Sequence, residues 1–81
     1  MSCFSFHPVK HITTGEGGAI TTNNEEFYQK LISFRNHGIN RNPTLFINHK
    51  LAYDRYNNLN PWYYEMLTPG FNYRITDIQA A

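Results

Sequence analysis

The sequence has a single cysteine, Cys3, and few charges, with seven Lys and Arg residues against six Asp and Glu residues. One cysteine excludes an internal disulfide and suits the reducing cytoplasm. The formal net charge of +1 gives no electrostatic case for nucleic acid or an anionic membrane, because both need clustered Lys and Arg. No apolar stretch approaches the ~20 residues that span a bilayer, and no signal peptide is apparent. These absences predict a soluble, cytoplasmic protein with neither nucleic-acid nor membrane partners.

The length of 81 residues allows at most one small domain. The chain enters a strand-like run almost at once, with "MSCFSF", and its last residues, "ITDIQAA", have the pattern of a helix that has only begun. Thr76 is the expected N-cap of this helix, and Asp77 suits its first turn. We therefore expect residues 1–81 to be a partial domain, truncated at both ends.

The strand and loop pattern predicts an α/β chain. Short strands are expected at residues 3–6 and 17–22, joined by a loop that contains Lys10. Residues 39–61 are rich in Asn and have no sustained periodicity, so they are expected to form a long loop with at most one turn of helix. The dipeptide Pro69-Gly70 predicts a turn in the extended stretch that follows.

One clear helix is predicted over "NNEEFYQKLISFRNHG", because its apolar residues repeat at helical spacing. Asn23 is the expected N-cap, and Glu26, three residues later, would complete a capping box. Gly38 is expected to end the helix as the left-handed C′ residue.

The loop lysine, Lys10, has no charged neighbour within the stretch "SFHPVKHITTG". An ordinary solvated lysine is the more common case at such a position. The alternative is a lysine that acts as an amine, since an ε-amine can form a Schiff base with a carbonyl such as that of pyridoxal phosphate. Such a site needs hydroxyl and backbone N–H groups nearby, and the neighbouring sequence offers Ser5, Thr13, Thr14, Gly15, Gly17 and Gly18.

Two other kinds of site are disfavoured by residue spacing. The run "TGEGGA" lacks both the P-loop pattern and the G-x-G-x-x-G pattern, so its glycines are expected to shape a turn. Cys3, His7 and His11 are spaced four apart on a strand and loop, where that spacing has no geometric meaning. Zinc sites usually show two close ligand pairs, so no metal site is predicted.

The stretches "SFHPVKHITTGEGGAI", "RNHG" and "PWYYEMLTPGFNYRITDIQAA" closely resemble the DegT/DnrJ family of nucleotide-sugar aminotransferases. The resemblance covers nearly the whole chain except residues 40–60, and it is strongest for members of the pseudaminic acid pathway. It implies the large domain of the pyridoxal-phosphate-dependent transferase fold type I, the fold of aspartate aminotransferase.

The resemblance also implies roles for three residues. Lys10 corresponds to the lysine that holds pyridoxal phosphate as a Schiff base. Ser5 corresponds to a serine whose hydroxyl binds the cofactor phosphate. Asn72 corresponds to an asparagine that the neighbouring subunit of a homodimer supplies. His7 and His37 also match the family, and a structural role is the more economical hypothesis for both.

In the implied reaction, Lys10 moves a proton as base and then acid. The amino group passes, typically from glutamate, to the 4-keto position of a nucleotide-linked deoxysugar. The family's acidic partner of the pyridinium nitrogen and its ring-stacking aromatic are not found here, so the 81-residue chain alone is expected to be inactive. Two alternatives stay open: an inert truncated remnant of such an enzyme, and a small aromatic-rich binding module with Trp62, Tyr63 and Tyr64 as contact residues.

Overall fold

The computed structural model describes all 81 residues. The chain is a small α/β structure with two short antiparallel sheets, three α-helices and one 3₁₀ helix. It divides into two compact units, which are described separately: unit 1 comprises Met1–Ile32 and Tyr73–Ala81, and unit 2 comprises Ser33–Asn72. None of the helices combines the length and apolar character that a membrane span requires.

The first sheet, in unit 1, pairs β1 (Ser2–Ser5) with β2 (Gly18–Thr21) in antiparallel register, from Ser2 opposite Thr21 to Ser5 opposite Gly18. Both strands lie within about one residue of the predicted positions. Gly18 has a close neighbour, because a Cβ at this position would come 2.7 Å from the carbonyl oxygen of Phe4. The absent side chain thus lets the backbones of the two strands approach.

The first helix, α1, spans Glu25–Arg35. The prediction of Asn23 as its N-cap is wrong by one residue, because Asn24 Oδ1 accepts the hydrogen bond from the N–H of Phe27, at 3.0 Å. Shifting the cap removes Glu26 from the N3 position, so no capping box forms here. Glu26 instead accepts from Lys30 Nζ at 2.6 Å, and this pairing lowers the pKa of the Glu26 carboxyl.

The end of α1 corrects a second prediction. His37 takes the left-handed C′ position with φ 60°, and Gly38 follows with φ 70°. The N–H of Gly38 donates to the carbonyl of Ser33 at 2.8 Å. This is the 6→1 hydrogen bond of a Schellman motif, the one that spans more residues. The N–H of His37 donates to Phe71 instead, at 2.9 Å. Histidine is among the non-glycine residues that tolerate this backbone region best.

Unit 2 is more ordered than the predicted loop. Its sheet pairs β3 (Ile39–Asn40) with β4 (Glu65–Met66), and between them lie a 3₁₀ helix (Pro43–Leu45) and α2 (His49–Ala52). The two most buried apolar side chains of the whole chain, Phe46 at 5% exposure and Ala52 at 0%, lie in this segment. The single turn of helix allowed for residues 39–61 is α2, but the 3₁₀ helix, the strand β3 and the buried side chains of this segment were not predicted.

Asn and Asp side chains shape the turns of unit 2. Asn42 caps the 3₁₀ helix through the N–H of Thr44, at 3.1 Å, and Asn48 caps α2 through the N–H of Leu51, at 3.4 Å. Asp54 Oδ1 accepts from the N–H of Asn58 at 2.8 Å, and the pKa of the Asp54 carboxyl is lowered by hydrogen bonding, above all from Asn58. Bonds of this kind reach only two to four residues and leave no hydrophobic periodicity in the sequence.

The last helix, α3, spans Asp77–Ala80 in unit 1. Thr76 is its N-cap, as predicted, and its hydroxyl accepts from the N–H of Gln79 at 3.2 Å. The side chain of Gln79 reaches back to the N–H of Thr76 at 3.1 Å, which completes a capping box. The threonine and the glutamine three residues later are the sequence signature of this motif.

Candidate functional site

The loop between β1 and β2 presents Lys10 on a tight turn. The N–H of Lys10 donates to the carbonyl of His7 at 2.9 Å, which closes a four-residue turn with Pro8 in its second position. Proline favours this position because its ring fixes the backbone φ that the turn needs. We call residues 7–13 the lysine loop. Its turn is set by backbone bonds, and the Lys10 side chain takes no part in them.

Hydrogen bonds close the base of the lysine loop. The carbonyl of Phe6 accepts from the N–H of Thr14 at 3.1 Å and from the hydroxyl of Thr13 at 2.9 Å. The N–H of Phe6 donates to the carbonyl of Gly17 at 2.9 Å. Gly15 adopts a left-handed φ of 77°, the backbone freedom that glycine supplies. The run "TTGEGG" therefore forms the turn into β2, as its glycines predicted.

The amine of Lys10 is exposed, and no hydrogen bond or ion pair holds it. Lys30, by comparison, is paired with Glu26 on the surface of α1. The absence of charged neighbours seen in the sequence around Lys10 thus also holds in three dimensions. No carboxylate of the chain therefore occupies the Lys10 amine, and its Nζ is accessible to a ligand.

Ser5 lies at the entrance of the lysine loop, as the last residue of β1. Its hydroxyl oxygen accepts from the N–H of His7 at 3.4 Å, and the carbonyl of the same His7 accepts from Lys10. Ser5, at the end of β1, and Lys10, in the lysine loop, thus both form a hydrogen bond with the backbone of His7. His7 also accepts the N–H of Val9 on its ring nitrogen Nδ1, at 3.4 Å.

Asn72 lies in unit 2, at the end of the stretch "TPGFN". It forms an antiparallel bridge with Asn36, just after α1. The neighbouring Phe71 donates its N–H to the carbonyl of Phe34 at 2.7 Å and accepts from the N–H of His37 at 2.9 Å. The backbone on both sides of this bridge is thus held, while Asn72 itself is exposed.

Close backbone approach holds this part of unit 2 together. A Cβ at Gly38 would overlap the carbonyl oxygen of Thr68, and a Cβ at Gly70 would overlap the backbone nitrogen of Gly38. The N–H of Leu67 also donates to the carbonyl of Gly38, at 3.1 Å. Glycine is required at both crossing positions because a side chain would force the two backbone segments apart.

The three aromatic residues at positions 62–64 have different environments: one packs in the core of unit 2, and the other two are exposed. The hydroxyl of Tyr63 donates to Glu65 at 2.7 Å, and its ring packs edge to face against Phe46, at 5.0 Å between centroids. Tyr63 is therefore part of the core of unit 2. Trp62 remains 67% exposed, and the guanidinium of Arg41 lies 5.8 Å from the ring centre of Tyr64. No three His, Cys, Asp or Glu side chains are grouped so that they could hold a metal ion.

Sequence reasoning missed Gln79, which contacts the turn behind the lysine loop. Its side-chain nitrogen Nε2 donates to the carbonyl of Glu16 at 3.1 Å. The signal for its capping role was present, since glutamine stands three residues after the N-cap Thr76. The contact between Gln79 and Glu16 joins residues 63 positions apart, and no local sequence pattern indicates it.

Comparison with known proteins matches the whole chain, residues 1–81, to the profile of the DegT/DnrJ/EryC1/StrS aminotransferase family. An uncharacterized protein of Methanocaldococcus jannaschii is 46% identical over 78 residues, which cover 96% of this chain and 18% of that protein. The spore coat polysaccharide biosynthesis protein SpsC of Bacillus subtilis is 38% identical over 80 residues, 99% of this chain and 18% of that protein.

A third relative carries a reaction in its name. The UDP-4-amino-4,6-dideoxy-N-acetyl-β-L-altrosamine transaminase of Campylobacter jejuni is 40% identical over 81 residues, which are 100% of this chain and 17% of that enzyme. The chain thus spans less than a fifth of the length of these relatives, 17–18% in each case. No solved structure matches the chain.

Proposed function

Since the chain belongs to the DegT/DnrJ/EryC1/StrS aminotransferase family, we propose that it is the lysine-bearing segment of a pyridoxal-phosphate-dependent sugar aminotransferase. In this proposal residues 1–81 are part of the large domain of the transferase fold type I. The observation that carries the proposal is the lysine loop, which presents the exposed, unpaired amine of Lys10 on a turn that backbone hydrogen bonds hold.

The residues of the lysine loop fit the amine and hydroxyl part of a pyridoxal phosphate site. When bound, pyridoxal phosphate supplies an aldehyde that condenses with amines and a ring that accepts electrons from the bonds of the amino acid. Lys10 would hold the cofactor through Nζ, and Ser5 would hydrogen-bond its phosphate. Ser5 suits this role because its exposed hydroxyl can still donate a hydrogen bond while its oxygen accepts the N–H of His7.

Lys10 would also move the protons of the reaction. As a free amine, Nζ accepts the proton that leaves the Cα of the amino donor, and as an ammonium it returns a proton later. This shuttle needs an amine that can reach two positions in turn. A flexible four-carbon side chain on a fixed backbone turn meets that requirement, since the turn determines where the side chain starts.

The substrates we propose are an amino donor, typically glutamate, and a nucleotide-linked deoxysugar with a ketone at its 4-position. The name of the Campylobacter jejuni relative supports the sugar class, since it is a transaminase of a UDP-linked 4-amino sugar. The pseudaminic acid pathway is part of the proposal on the sequence resemblance alone. In the same proposal the enzyme is a homodimer, and Asn72 reaches the cofactor phosphate of the partner subunit.

The test of this function uses the Campylobacter jejuni transaminase as host. The 81 residues replace its matching segment, which aligns over their full length, and the chimera is assayed with the nucleotide sugar of the host. Lys10→Ala and Lys10→Arg should stop turnover, and borohydride should no longer leave pyridoxal phosphate covalently attached. Lys30→Ala is the matched control, since Lys30 pairs only with Glu26 on α1; it should keep both properties.

Covalent trapping in the Lys10→Ala chimera would show that another lysine holds the cofactor and would refute the proposal. Retained turnover in Lys10→Arg would refute it as well, because a guanidinium does not give up its proton at any pH the enzyme experiences.

A further inference from the structure

Gln79 uses both ends of its side-chain amide. Its Oε1 accepts from the N–H of Thr76 at 3.1 Å, and its Nε2 donates to the carbonyl of Glu16 at 3.1 Å. Only this orientation of the amide satisfies both partners, because the N–H can only donate and the carbonyl can only accept. The oxygen therefore caps α3, while the nitrogen contacts the glycine turn that leads into β2.

The Glu16 carbonyl is connected, through Thr14, to the hydrogen bonds that close the lysine loop. It also accepts from the hydroxyl of Thr14, at 2.9 Å. The carbonyl of the next residue, Gly17, accepts the N–H of Phe6, and the carbonyl of Phe6 accepts the N–H of Thr14. Gln79 thus contacts a peptide group that is itself bonded to the base of the lysine loop.

There is also little space for a side chain at Gly17, the residue after Glu16. A Cβ at Gly17 would overlap the hydroxyl oxygen of Thr14 and would lie 3.5 Å from Cδ1 of Ile75. Ile75 and Gln79 lie on either side of the N-cap of α3. The peptide between Glu16 and Gly17 is therefore held from outside the loop by the segment that contains α3.

We propose that Gln79 is a positioning residue for Lys10. It fixes the Glu16–Gly17 peptide, that peptide fixes the base of the lysine loop, and the base determines where the Lys10 side chain starts. Gln79 acts only through the backbone and does not touch the reacting atoms. The part of this inference that concerns catalysis rests on the proposed function of Lys10, whereas the part that concerns the loop does not.

The first measurement is made on the 81-residue chain and needs no catalysis. Gln79→Glu keeps an oxygen that can cap α3, but it has no N–H to donate to Glu16. Amide hydrogen exchange is followed at Phe6 and Thr14, whose N–H groups close the loop. Losing one hydrogen bond should speed exchange at both amides by about three- to tenfold.

The matched control is Ile78→Glu, which adds the same negative charge at a neighbouring position that is 91% exposed. It should leave the exchange of Phe6 and Thr14 unchanged. Equal exchange rates in Gln79→Glu and the wild-type chain would overturn the proposal, as would an equal increase in Ile78→Glu. Either result would mean that the Glu16 contact does not hold the loop.

The second measurement uses the chimera described above, loaded with pyridoxal phosphate. Gln79→Glu should lower kcat by about tenfold to a hundredfold while the KM for the nucleotide sugar stays the same, because a displaced amine impairs the reaction and not substrate binding. The pH at which the visible absorbance of the bound cofactor changes should also shift, a signature that a purely structural residue would leave in place.

The experiments can refute the proposed function of Lys10 and the positioning role of Gln79 independently. If Lys10→Ala still traps the cofactor, the proposed function is wrong, while faster exchange in Gln79→Glu would still show that this side chain holds the loop. If Lys10 is confirmed but Gln79→Glu changes neither exchange nor kcat, the positioning role alone is refuted. An increase in KM with an unchanged kcat would also refute it.

Discussion

The carboxylate of Glu65 accepts a hydrogen bond from the backbone N–H of Asn48, at 2.7 Å and across 17 positions of sequence. It also accepts from the N–H of Ile47 at 2.8 Å and from the hydroxyl of Tyr63 at 2.7 Å. This half-buried side chain thus joins β4 to the turn that begins α2. The N–H of Ile47 contributes most to lowering the pKa of the Glu65 carboxyl, and partial desolvation opposes it.

Acid should destabilise unit 2 through Glu65. Because the folded-state pKa lies below the unfolded value, the stabilisation is present above the unfolded pKa and is lost as pH falls through the folded pKa. The urea midpoint of the wild-type chain should therefore fall between pH 6 and pH 3, where carboxyl groups titrate. Glu65→Gln should have a lower midpoint at pH 6 and a weaker dependence on pH.

Glu26→Gln provides the comparison, because the pKa of Glu26 is also lowered but the carboxylate belongs to an exposed pair with Lys30. Exposed ion pairs contribute little to stability, so this variant should keep most of the wild-type acid sensitivity. If Glu65→Gln lost stability with acid as steeply as the wild type, the link between β4 and α2 would not depend on the charge of Glu65.

Phe46 should be the most important apolar side chain of unit 2. It is 5% exposed and its ring packs against Tyr63. Phe46→Ala should lower the free energy of unfolding by about 3–5 kcal/mol. Leu45→Ala, at a neighbouring position that is 55% exposed, should change it by about 0.5 kcal/mol or less. Urea unfolding monitored by tyrosine and tryptophan fluorescence measures both, and equal losses would mean that Phe46 does not form the core.

The elements with a local signal were predicted well from the sequence. The strands around the lysine loop, helix α1 and the N-cap Thr76 lie at or near their expected positions, because alternation, helical spacing and capping residues are read within a few positions. The cap of α1 was placed one residue early because Asn23 and Asn24 are chemically identical candidates, and only the hydrogen bond to Phe27 distinguishes them.

The interior of unit 2 was not predictable in the same way. Its turns depend on single Asn and Asp side chains, and its core is formed by Phe46 and Ala52, which share no periodic pattern. The bond from Asn48 to Glu65 spans 17 positions and the bond from Gln79 to Glu16 spans 63, so nothing in the neighbouring sequence indicates these two contacts. For the site, chemistry alone left Lys10 open between a surface lysine and a reactive amine, and the resemblance to a family decided between them.

Gly38 and Gly15 should respond differently to the same substitution. Both have a left-handed φ, but a Cβ at Gly38 would overlap Thr68, whereas a Cβ at Gly15 would meet nothing within 4 Å. Gly15→Ala should therefore lose about 1–2 kcal/mol from backbone strain alone. Gly38→Ala should lose clearly more, because the crossing with Thr68 must open. Urea midpoints of the two variants test this, and a smaller loss for Gly38→Ala would contradict the close approach.

Asn72 should act across a subunit boundary in the chimeric transaminase. Each single variant, Lys10→Ala or Asn72→Ala, should be strongly impaired by itself, since every site then lacks one of the two groups. In a mixed dimer, one site receives Lys10 from one subunit and Asn72 from the other, while the second site lacks both. Random mixing of equal amounts makes half of the dimers mixed, so activity should recover to about a quarter of the wild-type level.

The measurement is the turnover of mixtures after subunit exchange, with two affinity tags to show that mixed dimers form. Mixed dimers without recovered activity would mean that Asn72 serves the site of its own subunit, and a fully active Asn72→Ala homodimer would mean that it serves neither.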